Sequence, residues 1–271
     1  SMKELERRRT IAMEGLEAAK KKAARFKPLA FGTSGLRDTV ENLTDMEVYI
    51  NTTGFLSFLA AKGGIKNGGS VAIGGDLRPS TMRIMAAAAK AVVDSGYAPD
   101  MIGTVPSPVL ACYAMANGMP SIMVTGSHIP ADRNGIKFTK RSGEVLKSDE
   151  AAILANVSAA REKEYGMTDE MSLFDEKGMF KVPALLPEAS NRTRAEEMYH
   201  KRYAGVFGQD SLKGLRVVVY KHSAVGRDIL AGILSNLGAE TILVGRSDEF
   251  LPVDTEKVSA ATMEVLRRSA R

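Results

Sequence analysis

Tryptophan is absent from the 271 residues, and aromatic residues make up only 6%. Surfaces that bind nucleic acid interleave basic side chains with rings for base stacking. The chain has a basic balance, 37 Lys+Arg against 32 Asp+Glu for a formal charge of +5, but lacks the rings. Part of the basic excess sits in charged terminal stretches (Arg7, Arg8, Arg9; Lys20, Lys21, Lys22; Arg267, Arg268, Arg271), and the rest is scattered. It reads first as solvated helix faces and second as a mildly basic site for an anionic small molecule, so no nucleic-acid partner is expected. Cysteine is nearly missing too. Cys112, in "PVLACYAMANG", has no partner for a disulfide, which fits a reducing compartment such as the cytoplasm. Its apolar neighbours place it in the core. No apolar run is long enough to span a membrane and no secretory leader is visible, so no membrane association is expected. Ser1 ahead of Met2 reads as the remnant of a cleaved tag.

Two catalytic signatures are also missing. No G-x-x-x-x-G-K-[ST] phosphate loop and no G-x-S-x-G nucleophile elbow occur. There are three histidines, His128, His200 and His222. Acyl transfer by a Ser-His pair needs the imidazole beside the hydroxyl in space. His128 is the neighbour in sequence of Ser127, which suits that job poorly, and the other two fall in a later unit.

What is present is a soluble globular composition, 44% hydrophobic and 25% charged, in a chain long enough for one large domain or two ordinary ones. Residues 3–25 are charged and helix-prone. Apolar runs at 70–76, 100–105 and 121–125 alternate with helical stretches, one opened by Ser80 or Thr81 as cap and one by Ser107-Pro108. Asn134-Gly135 is a turn signal, and "NGIKF" then suggests an antiparallel neighbour for the preceding strand. The expected fold is therefore α/β: a mixed sheet sandwiched by helices over 1–190. Residues 166–190 read as a loop-rich boundary. A second α/β domain follows over 191–271, with strands near 215–221 and 239–245. Two strands are too few for a stable sheet, so this domain reads as truncated.

The chemistry concentrates at the ends of strands. "MVTGSHIPADRNGIKF" (123–138) ends a strand in Thr-Gly-Ser-His and returns through Asn134-Gly135, bringing Lys137 toward Ser127. Gly126, lacking Cβ, would let a ligand approach the backbone. Thr33-Ser34-Gly35-Leu36-Arg37 and Asp76-Leu77-Arg78-Pro79-Ser80 occupy similar strand-to-loop joints. Ligands of open α/β sheets sit beyond such strand ends. One serine, one lysine, two arginines and several hydroxyls suit a phosphate rather than an acyl group.

"FGTSGLRD", "GGDLRPST" and "TGSHIPADRNGIKF", in that order, resemble the α-D-phosphohexomutases, the phosphomannomutase/phosphoglucomutase family. "YKHSAVGRDIL" and "LPVDTE" resemble the second domain of bacterial phosphomannomutase-type members. The resemblance spans roughly residues 29–271. It implies an isomerase acting as a phosphotransferase between hexose 1- and 6-phosphates of mannose or glucose. Ser127 would be the phosphoserine and a Mg²⁺ ligand, and hexose 1,6-bisphosphate the intermediate and activator. Arg37, Lys137 and His128 would act beside Ser127, with Thr33, Ser34, Gly35, Arg78 and Asn134 around the phosphate. Arg78 would brace the serine loop.

The family loop commonly reads Thr-Ala-Ser-His-Asn-Pro; here Gly126 stands for the alanine and Ile129 for the asparagine. The family's Asp-rich metal loop has no counterpart. Asp248-Glu249 and Asp254-Thr255-Glu256 have the wrong pattern for it. The resemblance therefore implies the N-terminal half of a four-domain enzyme, inactive as an isolated fragment. The alternative is a non-catalytic phosphosugar-binding or regulatory module of the same fold. Ser223, in "HSAVGRD", reads as a helix cap, with an anion-binding helix start as the other reading.

Overall fold

The computed structural model describes residues 2–32, 35–251, 253 and 258–270. Its first unit is a six-stranded mixed sheet. The strands are β1 (Gly35–Thr39), β2 (Ser70–Gly75), β3 (Ala98–Thr104), β4 (Ser121–Val124), β5 (Arg133–Lys140) and the short β6 (Gly143–Glu144). The order is β1-β5-β4-β2-β3, with β6 paired to the end of β5. β3, β2 and β4 run parallel, and β4, β5 and β1 are antiparallel.

Side chains alternate across this sheet, as the pleat requires. Val71, Ile73, Ile122, Val124, Ile136 and Phe138 face α2 (Asp45–Ala61), α3 (Thr81–Asp94) and α5 (Glu150–Tyr165). Ala72, Ile102 and Met123 face the other way, toward α4 (Ser107–Ala116) and helices of the second unit. Helices thus cover both faces, which is why β2 and β4 carry almost no polar positions. α2 starts at Thr44, whose Oγ1 accepts from Glu47 N at 3.2 Å. Glu47 is fully buried and ion-paired with Arg161 at 2.7 Å. Gly54 lets α5 cross closely, since a Cβ there would lie 2.5 Å from Val157. α1 (Met2–Arg25) is exposed over most of its length. Its last turn is docked by Lys22, which donates to the Glu164 and Met167 carbonyls at the end of α5. Burial holds that ammonium below its ordinary value.

Two local expectations in this unit need correction. Asn134-Gly135 is not a turn but lies inside β5, opposite Asp38 and Arg37 of β1. Gly135 is there because the neighbouring backbones crowd it: a Cβ would fall 2.6 Å from the Leu36 oxygen and 3.0 Å from the Thr125 oxygen. The reversal between β4 and β5 is made by the preceding residues, 125–132. Ser80 precedes α3 but its hydroxyl does not cap it; Ser80 Oγ accepts from Asn134 Nδ2 at 2.9 Å.

The second unit contains α6 (Arg192–Phe207), β7 (Arg216–His222), α7 (Arg227–Asn236), β8 (Glu240–Arg246) and α8 (Ala260–Ser269). β7 and β8 pair in parallel, the two-stranded sheet expected from the sequence among the described residues. Gly226, not Ser223, is the cap of α7; Ser223 Oγ instead bonds the backbone of Leu251 in both directions. Ala195 of α6 and Ile229, Ile233 and Leu237 near α7 join Ile102, Val105 and Val109 in one apolar cluster, so the two units share a core. Among the described residues no helix is long and apolar enough to cross a membrane.

Candidate active site

β2 ends at Gly75 and delivers Asp76 to the sheet edge; β4 ends one strand over and delivers Thr125, Gly126 and Ser127. Asp76 organises this edge. Its Oδ1 accepts from Thr81 Oγ1 at 2.7 Å and Arg78 N at 3.0 Å. Its Oδ2 accepts from Thr125 Oγ1 at 2.8 Å and Gly126 N at 3.2 Å. Thr125 Oγ1 in turn accepts from Ser127 N at 3.0 Å.

Arg78 completes the support. Its side chain has no exposed surface. Nη1 donates to the carbonyls of Pro130 (2.6 Å) and Arg133 (2.9 Å), and Nη2 to those of Ser127 (3.2 Å) and Ile129 (2.6 Å). Four carbonyls of one loop thus converge on one guanidinium, whose planar fork suits such a set. Nε lies 3.3 Å from Asp76 Oδ2, an ion pair rather than an aligned hydrogen bond. Burial lowers the Arg78 pKa and Asp76 opposes that shift, so the cation is retained where it binds. The space beside Gly126, read from the sequence as room for a ligand, belongs to Arg78. A Cβ on Gly126 would lie 2.4 Å from both Cζ and Nε.

The loop so held presents Ser127 exposed and with φ of +57°, one of two non-glycine residues in the left-handed region among the described residues. Such a conformation costs roughly 1–2 kcal/mol and persists where the surroundings impose it. Ser127 Oγ lies 3.4 Å from His128 Nδ1, at the outer edge of hydrogen bonding. Ser127, His128 and Lys137 line a cleft of about 380 Å³ together with Asp76, Arg78 and Thr125. Its far wall comes from the second unit, through His222 to Gly226 and through Phe250 and Leu251. A larger hollow of about 700 Å³ behind α7 is mostly apolar and contains neither Ser127 nor Lys137.

The remaining expected residues fall as follows. Arg37 is exposed on β1, opposite Gly135, while Lys137 is opposite Gly35. Opposed residues of an antiparallel ladder share a face, so Arg37 and Lys137 are diagonal neighbours on one face. Arg37 does not line the cleft itself. Gly35 is explained by strand approach, since a Cβ would lie 1.9 Å from the Ile136 oxygen. Asn134, expected at the phosphate, is fully buried and its amide donates to Ser80 Oγ and Thr81 Oγ1, so it supports the loop from beneath. Thr33, Ser34 and the Asp254-Thr255-Glu256 stretch lie outside the described residues. Sequence reasoning missed the roles of Asp76 and Thr125, although both sit inside the motifs it used. It also missed His222, which lies inside the quoted "YKHSAVGRDIL", and Phe250, which carries no local signal. His222 has φ of +30°, and burial, with Arg227 adding, lowers its pKa.

The described residues do not make a Mg²⁺ site. Among the described residues no group of three or more His, Cys, Asp or Glu converges, and Asp76, the carboxylate in the cleft, is already engaged at both oxygens. A Mg²⁺ site needs carboxylates beside phosphate oxygens and water.

Residues 28–164 match the family model described as phosphoglucomutase/phosphomannomutase, alpha/beta/alpha domain I. The chain is 39% identical over 241 residues to a phosphomannomutase of Sinorhizobium fredii, covering 89% of this chain and 48% of that protein. It is 36% identical over 229 residues to a phosphomannomutase of Salmonella muenchen, covering 84% and 43%. The chain therefore spans about half the length of these curated relatives. A solved phosphoglucomutase/phosphomannomutase family protein from Burkholderia thailandensis shares the fold, with a TM-score of 0.57 at 21% identity over 79% of this chain and 43% of that one. A serine loop clamped at the carboxyl edge of a mixed α/β/α sheet, with these matches, defines the class: the chain belongs to the α-D-phosphohexomutase family.

Proposed function

We propose that Ser127 is a phosphoacceptor and that the chain is the serine-bearing part of a mutase interconverting hexose 1-phosphate and hexose 6-phosphate. The mannose and glucose series are the substrates in view, because the relatives are phosphomannomutases within a phosphoglucomutase/phosphomannomutase family. One observation carries the reading: an exposed serine in a left-handed conformation, on a loop whose carbonyls are drawn onto a buried arginine, beside an exposed lysine in a cleft.

Loading from hexose 1,6-bisphosphate balances simply. Ser127 Oγ forms a bond to phosphorus, the sugar P–O bond breaks, and the serine proton ends on the departing sugar oxygen. The products are phosphoserine and a hexose monophosphate. Phosphoserine then gives its phosphoryl group to the free hydroxyl of a hexose monophosphate, so that the 1,6-bisphosphate and the serine hydroxyl re-form. Uptake by Ser127 of the bisphosphate's other phosphoryl group leaves the isomeric monophosphate. Phosphoserine carries close to two negative charges near neutral pH and needs cationic neighbours. Lys137 in the cleft and Arg37 one diagonal away supply them, with no hydrogen-bond or ion-pair partner of their own among the described residues. Charge stabilisation and orientation are the main contributions a protein makes to phosphoryl transfer. His128 Nδ1, at 3.4 Å from Oγ, is placed to orient the hydroxyl.

The test is direct. Incubation with hexose 1,6-bisphosphate followed by phosphopeptide mapping should locate one phosphate, on Ser127, and Ser127→Ala should abolish it. Phosphate on another residue, or undiminished labelling of Ser127→Ala, overturns the assignment.

A further inference from the structure

The guanidinium that gathers the serine loop is touched by the second unit. The ring of Phe250 lies over Arg78, 4.7 Å from Cζ to the ring centroid. The edges of the guanidinium are already engaged by four carbonyls and Asp76. A planar cation with its edges occupied can still be held through its face, and an aromatic ring does this best when water is excluded. Leucine or another aliphatic residue at 250 would fill the space but lacks the quadrupole that attracts the charge.

Phe250 is itself held in place. Leu251 N donates to Ser223 Oγ at 2.8 Å, and Ser223 Oγ donates to the Leu251 oxygen at 3.0 Å. Buried Arg227 donates to the oxygens of His222 (2.8 Å) and Ser247, and reaches Asp248 Oδ1 at 3.2 Å. The segment carrying the ring is therefore tied to the connection between β7 and α7. α7 shares its apolar cluster with β3 and α4, which fixes the ring relative to the first unit.

We infer that Phe250 is a positioning residue for Ser127: it acts through Arg78, holding the guanidinium in the place from which it gathers the loop carbonyls. The assignment rests on Ser127 being the phosphoacceptor. Through this contact the placement of the β7–α7 connection is felt at the serine loop, although the second unit contributes no bond to Ser127 among the described residues.

Amide exchange over residues 126–133, together with the rate of Ser127 phosphorylation by hexose 1,6-bisphosphate, tests it on the whole chain. Phe250→Leu should speed loop exchange and slow phosphorylation, each by roughly tenfold, between the exposed and the fully desolvated size of a cation–π contact. Exchange in β7 and α7 should stay as in the wild type. Phe250→Tyr, which keeps the ring face, should restore both readouts. A second variant, Ser223→Ala, removes the hydrogen bonds that seat the segment and leaves the ring intact. It should also speed loop exchange. Wild-type loop exchange in Phe250→Leu, or in Ser223→Ala should Phe250→Leu loosen β7 and α7 as well, overturns the inference. A wild-type chain that takes no phosphate at Ser127 would sink the phosphoacceptor assignment alone, since the exchange data still judge the coupling of Phe250 to the loop.

Discussion

A single methyl group at Gly126 should unsettle the whole serine loop. Gly126 is not among the glycines with positive φ, so its φ does not by itself bar alanine. The obstacle is Arg78. The new Cβ would lie 2.4 Å from Cζ and Nε and 2.8 Å from Nη2. Carbon contacts are comfortable only from about 3.5 Å, so the guanidinium must retreat by about 1 Å. The bonds from Nη2 to the Ser127 and Ile129 carbonyls, now 3.2 and 2.6 Å, are then stretched or lost. Hydrogen bonds from a charged donor contribute about 1.5–3 kcal/mol each. Replacing glycine restores about 0.4–1 kcal/mol through the unfolded chain. Losing the two bonds and regaining that entropy leaves Gly126→Ala destabilised by about 2–6 kcal/mol. At about 2–3 °C per kcal/mol for a domain of this size, calorimetry should show Tm lower by on the order of 10 °C. Amide exchange at 127–133 should rise more than elsewhere. A Tm equal to or above the wild type, with the loop still protected, would refute this account of why glycine stands at 126. It would also mean that Arg78 can hold the loop from a second position.

Three further outcomes are expected. Ser127→Gly should gain about 1 kcal/mol in chemical denaturation by relieving the left-handed backbone, while Ser127→Ala should not; both should block phosphorylation. His222 has a pKa held below its ordinary 6.5 by burial. The unfolded chain therefore binds the proton first, and stability present above that value is lost as pH falls through 6.5 toward the folded-state value. Melts from pH 7.5 to 5 should show a smaller loss for His222→Asn than for the wild type, and equal losses would refute the assignment. Amides of β7 and β8, in a two-stranded sheet, should exchange faster than those of β2 and β4 at the centre of the first sheet; equal protection would count against the second unit being the weaker one.

The layers of the fold were legible because burial on two faces leaves a plain signature. β2 and β4 are short apolar runs, and the helices between them show clear stops, such as Gly118 with φ of +64° after α4. Local turn chemistry misled where long-range pairing prevailed. Asn134-Gly135 has the composition of a hairpin turn, yet β1 and β4 bracket it and use its small size for close approach. The site was legible at Ser127, His128 and Lys137, which lie within one motif. It was not legible at Gly126, whose emptiness is filled by a side chain from another loop. Nor was it at Phe250, which meets Arg78 only because a second unit packs against the first.

The way β3 is covered bears on where this protein can be cut. β3 is the outer strand on its side of the sheet. Ala189 lies against Gly103, Asn191 donates to Asp100, and Arg192 donates to Thr104, so the start of α6 runs along that margin. A shorter protein ending near residue 165, where the family match stops, would retain every strand of the sheet and the serine loop. It would also bare the unpaired backbone of β3 and the apolar side of α4. An open strand margin of that kind recruits other chains. The minimal phosphoacceptor piece should therefore self-associate, and its practical end lies beyond α6 rather than at the last residue of the sheet's own helices.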